Sequence, residues 1–427
     1  MGATPPPEVA AEDVGPQTVH WGRAVSWAFY DFANTIYSAL VLSFAITLHV
    51  KEYTGEEKWT FLTMGLSLLA SGVVLPFAGE VADRTGRPKR YLLALTLVCC
   101  VSCVAMSFAD AAWLILGLFC VANFCFNSSL TFYDSLMPML APRRRLGTVS
   151  GLGVGLGYAG VAFALPLGWL AVDLYTRTGA AHPLRPLFAL AGALFLLFSV
   201  PLFAVVPEKP ATKPLRAGHS ALRLAWRRVL VTLRLLPRHR RVLLFLVGNF
   251  FLVDTLNVGI IAAAPYVVHV FGLEKQTAML YLIPFSLGAA ALGTVGGKMA
   301  DAVGARRTML TAGICVLVAL VVSAATRQFA LFLPVFVILG GYGLASIWVA
   351  GRKLLVELVP EGQLGKYFGL YNVGHKLSVI GAVLFGLLAD LRIGGSPTAG
   401  YRLGLLVQVP FVLIGLVCIY RVGEDGD

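Results

Sequence analysis

The sequence predicts an all-α membrane protein in which twelve transmembrane helices form two pseudo-symmetric six-helix bundles. Of its 427 residues, 58% are hydrophobic and 13% charged, whereas soluble domains have about 45–50% apolar and about 25% charged residues. Apolar runs near the ~20 residues that a helix needs to cross a bilayer recur along the chain. Two motifs also recur at one fixed spacing, which divides the chain into equivalent halves.

The apolar runs predict the membrane spans, numbered 1 to 12 in chain order. They lie at 24–49, 60–79, 91–108, 112–140, 148–172, 186–206, 242–269, 277–300, 308–326, 329–351, 366–390 and 402–421.

The polar stretches between these runs predict the domain boundaries. The first stretch is rich in proline and acidic residues and lacks the basic start and apolar run of a secretory signal. The long basic connection has apolar and basic residues at helical spacing over 222–236, which is typical either of an interfacial helix or of a plain linker. The predicted units are a disordered cytoplasmic tail (1–22), an N-terminal six-helix bundle (23–206), a basic cytoplasmic linker (207–241), a C-terminal six-helix bundle (242–421) and a cytoplasmic tail (422–427).

Charge asymmetry predicts the orientation, because lysine- and arginine-rich connections stay on the cytoplasmic side. With the amino terminus inside, the cytoplasmic segments hold 26 of the 34 basic residues. We therefore expect both termini in the cytoplasm, and we attribute the net charge of +12 to this asymmetry rather than to nucleic-acid binding.

The internal repeat has an offset of 218 residues. "GEVADRTGRPKR" (79–90) follows span 2, and "GKMADAVGARRT" (297–308) follows span 8. "MLAPRRRLGTVSG" (139–151) follows span 4, and "ELVPEGQLGKYFG" (357–369) follows span 10. One offset aligns both pairs of motifs, so the halves have parallel orientation.

The first repeated motif suggests a gate at the cytoplasmic end. Glycine permits close helix approach, an aspartate can face the positive amino-terminal end of a neighbouring helix, and arginines can cross between the halves. The predicted gate residues are Gly79, Asp83, Arg84, Gly86, Arg87, Asp134, Gly297, Asp301, Arg306 and Arg352. Asp134 and Arg352 are included because the offset makes them equivalent positions of opposite charge.

These motifs resemble the major facilitator superfamily. Within it the chain is similar to the branch named for vacuole effluxers linked to autophagy, through "WAFYDFANTIYS" in span 1, "YDSLMPMLAP" after span 4, "VSGLGVGLGYAG" in span 5 and "YFGLYNVGHKLSVIGAVLFG" in span 11. It departs from the branch at "GRKLL" (351–355) and "FLVDTLNVG" (251–259). The resemblance implies the major facilitator fold, a central cavity lined by spans 1 and 7, and efflux of a small solute such as amino acids.

Asp31 in span 1 is a candidate substrate or proton site. An ionisable group at the bilayer centre costs about 2.5–3.5 kcal/mol on insertion scales, so we expect it to have a bonding partner or a function. Asn34 follows it at i+3 on the same face, and Tyr30 precedes it. The competing interpretation is a fixed packing contact with the backbone or with Tyr30.

Asp254 in span 7 is the second candidate, and Asn257 stands at i+3. The 218 offset places Asn249 opposite Asp31, whereas a five-residue gap would align Asp254 with Asp31, and the sequence leaves both registers open.

Span 11 contains His375 and Lys376 about 15 Å from its predicted start. A lysine at that depth needs an anion, and we expect it to hold the acidic end of a substrate, unless the helix begins later and leaves Lys376 near the headgroups.

In span 4, Asn123 and Asn127 are either polar cavity contacts or contacts between helices.

No phosphate-binding G-x-x-x-x-G-K-[ST] loop is present, so the sequence indicates no ATP hydrolysis, no enzyme and no cofactor. The seven cysteines lie in apolar runs without ligand-spaced histidines, which predicts helix packing and no metal site.

The predicted function is a monomeric, proton-coupled secondary transporter in a bacterial inner membrane, with a small-molecule substrate, a coupling proton and the lipid bilayer as partners. The alternatives are a non-cycling receptor or scaffold, a channel, and a sugar or organic-acid symporter.

Overall fold

The computed structural model describes residues 16–56, 58–179, 181–208, 231, 234, 236–273, 282–359, 363–378, 380–389, 391 and 397–423. Most of the predicted linker, including residues 222–230 of the candidate interfacial helix, and both outer ends of the chain lie outside these residues. The side chains of Arg84 and Lys376 also lie outside the described part.

The N-terminal half contains six predicted spans. Span 1 consists of α1 (Trp21–Tyr37), a π-helical segment (Ser38–Ala45) and α2 (Ile46–Thr54). Spans 2 to 6 are α3 (Lys58–Thr85), α4 (Pro88–Met106), α5 (Ala112–Leu136), α6 (Leu146–Thr176) and α7 (Arg185–Val205).

The C-terminal half repeats this order. Spans 7 to 9 are α8 (Arg240–Phe271), α9 (Leu282–Val303) and α10 (Ala305–Ala325). Span 10 consists of α11 (Phe329–Val335), a π-helical segment (Phe336–Gly340) and α12 (Gly341–Leu358), span 11 of α13 (Leu364–Leu377) and α14 (Ile380–Ala389), and span 12 of α15 (Pro397–Leu406) and α16 (Gln408–Arg421).

Eleven helical segments of the described chain are long and apolar enough to cross a membrane. They correspond to every predicted span except span 8, whose described part, α9, has 22 residues and a length of about 33 Å. Residues 277–281 of predicted span 8 lie outside the described part of the chain. Large apolar side chains such as Leu66, Val101 and Leu387 are more than half exposed, as on a surface that faces lipid.

The structure differs from the predicted continuous helices at four places. The π-helical segments interrupt spans 1 and 10, and span 11 breaks between α13 and α14, where Ser378 has a non-helical ψ of 70°. Such irregular backbone at membrane depth is tolerated where it is buried in protein or lines a cavity. Span 12 is interrupted by a turn at Val407, close to Pro410, which has no backbone N–H to donate to the helical ladder.

The halves pack together through α6 against α9 and α3 against α13. A Cβ added at Gly151 would lie 2.7 Å from the backbone oxygen of Gly293, and one at Gly369 would lie 2.7 Å from that of Leu75. The small residues of span 5 therefore bring two helices into close contact, as predicted from their four-residue spacing.

These contacts lie towards one end of the bundle. This basic end is defined by the ends of spans 2, 4, 8 and 10 and the starts of spans 3, 5, 9 and 11, with Arg143–Arg145 between spans 4 and 5. The opposite end is called the far end.

Candidate gate, substrate and coupling sites

Asp83 and Asp301 cap helices of the opposite half at the basic end. The Asp83 carboxylate accepts the backbone N–H groups of Gly365 (3.1 Å) and Lys366 (3.2 Å) at the start of α13. The Asp301 carboxylate accepts those of Gly147 (2.8 Å) and Thr148 (2.7 Å) at the start of α6. Each aspartate therefore neutralises the partial positive charge of a helix amino terminus.

Glycine is required at both capped positions. A Cβ on Gly365 would lie 2.6 Å from the backbone oxygen of Gly79, and a Cβ on Gly147 would lie 2.6 Å from that of Gly297. Gly79 and Gly297 are equivalent glycines of the first repeated motif, and Gly147 and Gly365 are equivalent glycines of the second. Gly86, with a φ of 64°, then turns the chain from span 2 into span 3 in a conformation that disfavours other residues.

The basic side chains near the two caps differ from the prediction that arginines cross between the halves. Arg306 stays within its own half, because its guanidinium donates to the backbone oxygens of Ile419 and Tyr420 at the end of α16, where the helix dipole favours a cation. The buried Lys353 of span 10 also stays within its half: it lies 2.7 Å from Asp301 Oδ1 and donates to the backbone oxygen of Ala300 (2.8 Å). Arg87 is exposed.

Arg352 joins the halves deeper in the bundle. Its Nη1 lies 3.1 Å from Asp31 Oδ2 on span 1, and its Nε lies 3.0 Å from Asp134 Oδ1 on span 4. All three residues are less than 9% exposed. We call Asp31, Asp134 and Arg352 the central ion cluster. It contains two carboxylates and one guanidinium. Asp31, a predicted substrate or proton site, and Asp134, a predicted gate residue, therefore contact the same arginine.

Aromatic rings and a second cross-half contact surround the central ion cluster. The rings of Trp27 and Tyr133 stack with centroids 4.3 Å apart, and the Arg352 guanidinium carbon lies 5.9 and 5.7 Å from their respective centroids. Asn372 of span 11 donates to Asp134 Oδ2 (3.2 Å). The cluster is therefore held by cation–π contacts and by hydrogen bonds from both halves.

Of the other predicted residues of the N-terminal half, Asn34 contacts this cluster, and the rest join neighbouring spans. Asn34 donates to Asp31 Oδ1 (3.1 Å). The hydroxyl of Tyr30 bonds to Thr96 and Ser129, so it joins spans 1, 3 and 4. The remaining pair joins spans 2 and 4: Asn123 donates to Ser67 (2.6 Å), and Asn127 donates to the side-chain oxygen of Asn123 (2.9 Å).

Asp254 lies at the break in span 11. It is fully buried, and its Oδ2 accepts the N–H of Gly381 (2.7 Å) in the first turn of α14. The fully buried Gln408 of span 12 donates to the backbone oxygen of Gly381 (3.1 Å). Oδ1 of Asp254 and Oε1 of Gln408 have no hydrogen-bond partner in the described part of the chain. We call Asp254, Gly381 and Gln408 the Asp254 site.

The break itself is held by a further predicted residue. Asn257 of span 7 donates to the backbone oxygen of Ser378 (2.8 Å), the last described residue before α14. Span 7 therefore satisfies two backbone groups that the interrupted helix leaves without helical partners, the N–H of Gly381 and the oxygen of Ser378.

The contacts of His375 favour the 218-residue register. His375 is hydrogen-bonded to Asn249 (2.8 Å), and a Cβ on Gly157, its equivalent in span 5, would lie 3.7 Å from the Cβ of Asp31. Asn249 and Asp31 therefore occupy matching positions between spans 7 and 11 and between spans 1 and 5.

Four polar residues of these sites were not predicted. Lys353 contributes to the charge of the basic end, and Asn372 and Thr148 lie in the quoted motifs, but the sequence predicts no individual role for them or for Gln408. Gln408 carried a usable signal, since it is the one amide in an otherwise apolar run from 403 to 419.

Comparison with known proteins identifies the family of this chain. The family described as "Vacuole effluxer Atg22 like" matches residues 57–148 and 143–425. The chain belongs to this family.

Relatives of this family member include transporters. It is 26% identical to an MFS-type transporter, YxiO, of Bacillus subtilis (strain 168), over 92% of this chain and 94% of the relative. It is 26% identical to Autophagy-related protein 22-1 of Sclerotinia sclerotiorum, over 65% of this chain and 51% of the relative. It is 22% identical to a multi-drug resistance efflux pump PmrA homolog of Lactococcus lactis, over 94% and 95%.

Solved structures confirm the predicted fold of this family member. The human organic anion transporter MFSD10 (TETRAN) matches with a TM-score of 0.71 at 14% identity, over 93% of this chain and 99% of that structure. A bacterial homologue of the iron transporter ferroportin, in an outward-facing state, matches with a TM-score of 0.68 at 15% identity, over 94% and 99%. The chain is a multi-pass membrane transporter of the major facilitator type, in agreement with the resemblance drawn from its motifs.

Proposed function

We propose that this transporter moves a small polar, amino-acid-like solute out of the cell by alternating access, coupled to protons, with its basic end in the cytoplasm. The orientation rests on the excess of lysine and arginine at the basic end. The direction is supported by the effluxer and efflux-pump names among its relatives.

The proposal rests on the equivalent contacts by which the two halves close one end of the bundle. At the basic end the halves meet through two aspartate caps and a central ion cluster, which are polar contacts that can form and separate. A static scaffold has no use for two equivalent reversible contacts. In the proposed cycle the described state is closed to the cytoplasm, and the halves rock apart at this end to admit solute.

The chemistry of the central ion cluster supports a zwitterionic substrate. A free carboxylate would compete with Asp31 for the Arg352 guanidinium, and an ammonium group would compete with Arg352 for Asp31 and Asp134. An amino acid contains both groups at short separation. Its binding would exchange internal ion pairs for substrate ion pairs, so that the cluster opens without leaving buried charges unpaired.

Asp254 is the proposed coupling residue. Its charged form is stabilised by the amino terminus of α14, while its Oδ1 and the nearby Gln408 Oε1 are two acceptors without donors among the described residues. One proton on Asp254 adds the donor that this pair lacks and removes the buried charge. Protonation would therefore weaken the tie between span 7 and the broken span 11.

Flux into proteoliposomes tests this function. We expect uptake of a labelled amino acid against its gradient when a pH gradient is imposed, and loss of that accumulation on addition of a protonophore. A set of amino acids, sugars and organic acids, first screened by thermal shift, identifies the substrate. Flux that neither saturates nor counterflows would contradict transport by alternating access, and accumulation that survives the protonophore would contradict proton coupling.

Asp254→Asn separates coupling from binding. We expect this variant to lose pH-driven accumulation by at least tenfold and to keep counterflow exchange, because exchange needs the halves to rock but no proton to be released. Asp173→Asn, which removes the partner of Arg177 at the end of α6, is the matched control and leaves both activities unchanged. Unchanged accumulation in Asp254→Asn removes Asp254 from the coupling role.

A further inference from the structure

Two histidines and a glutamate meet at the far end of the N-terminal half. His49 and Glu52 lie one turn apart on α2, and His182 comes from the connection that precedes α7. One ligand atom from each of the three lies within 4.8 Å of the other two. We call these residues the His49 cluster. His49 and His182 are 133 positions apart in the sequence. None of the three residues belongs to the aspartate caps or to the Asp254 site.

His49 is the fully buried member of this cluster. It is 0% exposed, and neither of its ring nitrogens has a partner in the described part of the chain. A buried imidazole normally donates one hydrogen bond and accepts another, and leaving these groups unsatisfied costs stability. A ligand that accepts a nitrogen lone pair would satisfy it.

The separations within the His49 cluster fit a tetrahedral metal ion. Glu52 Oε2 lies 3.5 Å from His49 Nδ1 and 3.3 Å from His182 Nδ1. His182 is hydrogen-bonded to Glu52 at this distance, which exceeds the usual range of about 2.7–3.2 Å, and the distance from His49 is longer still. Ligands placed 2.0–2.1 Å from a tetrahedral zinc ion lie about 3.4 Å from one another. The two imidazole rings are also almost perpendicular, with an interplanar angle of 87°, so they can approach one point from different directions.

The charge around the cluster is compatible with a divalent cation. Arg185 begins α7 nearby, but its guanidinium is bound to the carboxylate of Asp110 and to the hydroxyl of Tyr53 (2.7 Å). The ring of Tyr53 stacks on His182 with centroids 4.6 Å apart and so supports the position of that ligand. Glu52 then supplies the negative charge for the ion.

We propose that His49, Glu52 and His182 form a Zn²⁺ site with three protein ligands. Two imidazoles and a carboxylate are typical zinc ligands, and the partial exposure of Glu52 and His182 leaves a coordination position open to water. The ion would tie the end of span 1 to the connection between spans 5 and 6. In the proposed orientation this site faces the outside of the cell.

Zinc binding to the full-length protein tests the site. The purified chain, treated with EDTA and dialysed, is titrated with Zn²⁺ alone by calorimetry. We expect one saturable site per chain, which His182→Ala weakens at least tenfold. Because His182 is partly exposed, this variant is expected to fold. Glu52→Gln keeps the side-chain size, removes the charge, and is likewise expected to weaken binding.

His269→Ala is the matched control. His269 is exposed at the end of span 7 and stacks on Tyr401 with centroids 4.9 Å apart, as His182 stacks on Tyr53, but it belongs to no such cluster among the described residues. We expect its affinity for Zn²⁺ to equal that of the wild type.

Two further measurements identify the binding geometry. Co²⁺ bound to the wild type should give the intense visible bands of a four-coordinate ion, and Zn²⁺ should raise the melting temperature of the wild type and of His269→Ala but not of His182→Ala. Absence of saturable binding, or equal binding by wild type, His182→Ala and Glu52→Gln, overturns the site. These readouts do not depend on transport.

Discussion

Asp83 on span 2 and Asp301 on span 8 occupy equivalent positions, and each accepts two consecutive backbone N–H groups from the opposite half. The deeper polar residues do not match in this way. Asp31 pairs with Arg352 across the halves, whereas its equivalent, Asn249, bonds to His375 inside the C-terminal half.

The contrast separates two tasks in one molecule. Closing an end of the bundle is a mechanical task that both halves can perform with the same contact. The proposed recognition of one asymmetric solute and one proton requires different chemistry on the two sides, and in these deeper sites the charged groups differ between the halves. The following predictions measure how far the equivalent caps and the divergent deep sites differ in energy.

Loss of Arg352 should have the largest effect. Arg352→Ala leaves Asp31 and Asp134 buried without their cation, and removing one partner of a buried ion pair costs about 3–5 kcal/mol. We expect the basic end to open, so that a cysteine introduced at the buried Thr131, which accepts a hydrogen bond from Asn372, becomes accessible to a water-soluble thiol reagent. The reaction of the native cysteines is measured on the chain without the introduced cysteine and is subtracted.

Removal of the two carboxylate charges is the control for Arg352. Asp31→Asn and Asp134→Asn added to Arg352→Ala remove the unpaired charges, and we expect closure to recover in large part. If the Thr131 cysteine reacts no faster in Arg352→Ala than in the parent, the central ion cluster does not hold the basic end closed.

The two caps should differ moderately when each aspartate is neutralised. Asp83→Asn weakens two hydrogen bonds to a charged acceptor, which we expect to cost the closed state about 1.5–3 kcal/mol. Asp301→Asn should cost more, because it also leaves the buried Lys353 with a neutral neighbour in place of its 2.7 Å partner. The reaction rate of the same cysteine ranks the two variants, and equal rates would show that Lys353 contributes nothing to closure.

The repeat explains why the caps could be predicted and the deep sites only in part. A fixed offset transfers one local rule, that an aspartate caps a helix amino terminus, to both halves, so Asp83 and Asp301 were predicted with their physical role. The pair of Asp134 and Arg352 also followed from the offset. The side-chain contacts of Asp254 could not follow, because they depend on a break in span 11 that an apolar run does not reveal.

The same reasoning applies to the polar residues of span 4 and to the His49 cluster. Asn123 and Asn127 share a helix face in the sequence, but only the packed structure shows that they bond to Ser67 and to each other. His49 and His182 are far apart in the chain, and the connection between spans 5 and 6 brings them together. Contacts that depend on how separate helices pack leave no local pattern to read.

A smaller effect is expected from filling the space between the halves. In Gly365→Ala the new methyl group would lie 2.6 Å from the backbone oxygen of Gly79 and 2.8 Å from Asp83 Oδ1. Such overpacking typically costs 1–3 kcal/mol, and here it falls on the closed state. Gly374→Ala lies in the same helix with nothing within 4 Å, so it should leave closure unchanged. Equal behaviour of the two variants in the cysteine assay would exclude close packing at Gly365 as a requirement.

The smallest effect should come from Tyr30, although it stands beside Asp31 in the sequence. Its hydroxyl is fully buried and bonds to Thr96 (2.8 Å) and Ser129 (3.0 Å), away from the central ion cluster. Tyr30→Phe should therefore lower the stability of the N-terminal half by about 0.5–1.5 kcal/mol, as expected for a lost hydrogen bond, while the KM for the transported solute stays the same. A thermal melt and a flux titration measure the two quantities. A several-fold rise in KM without a loss of stability would place Tyr30 in the substrate site and extend that site from spans 1, 4 and 10 towards span 3.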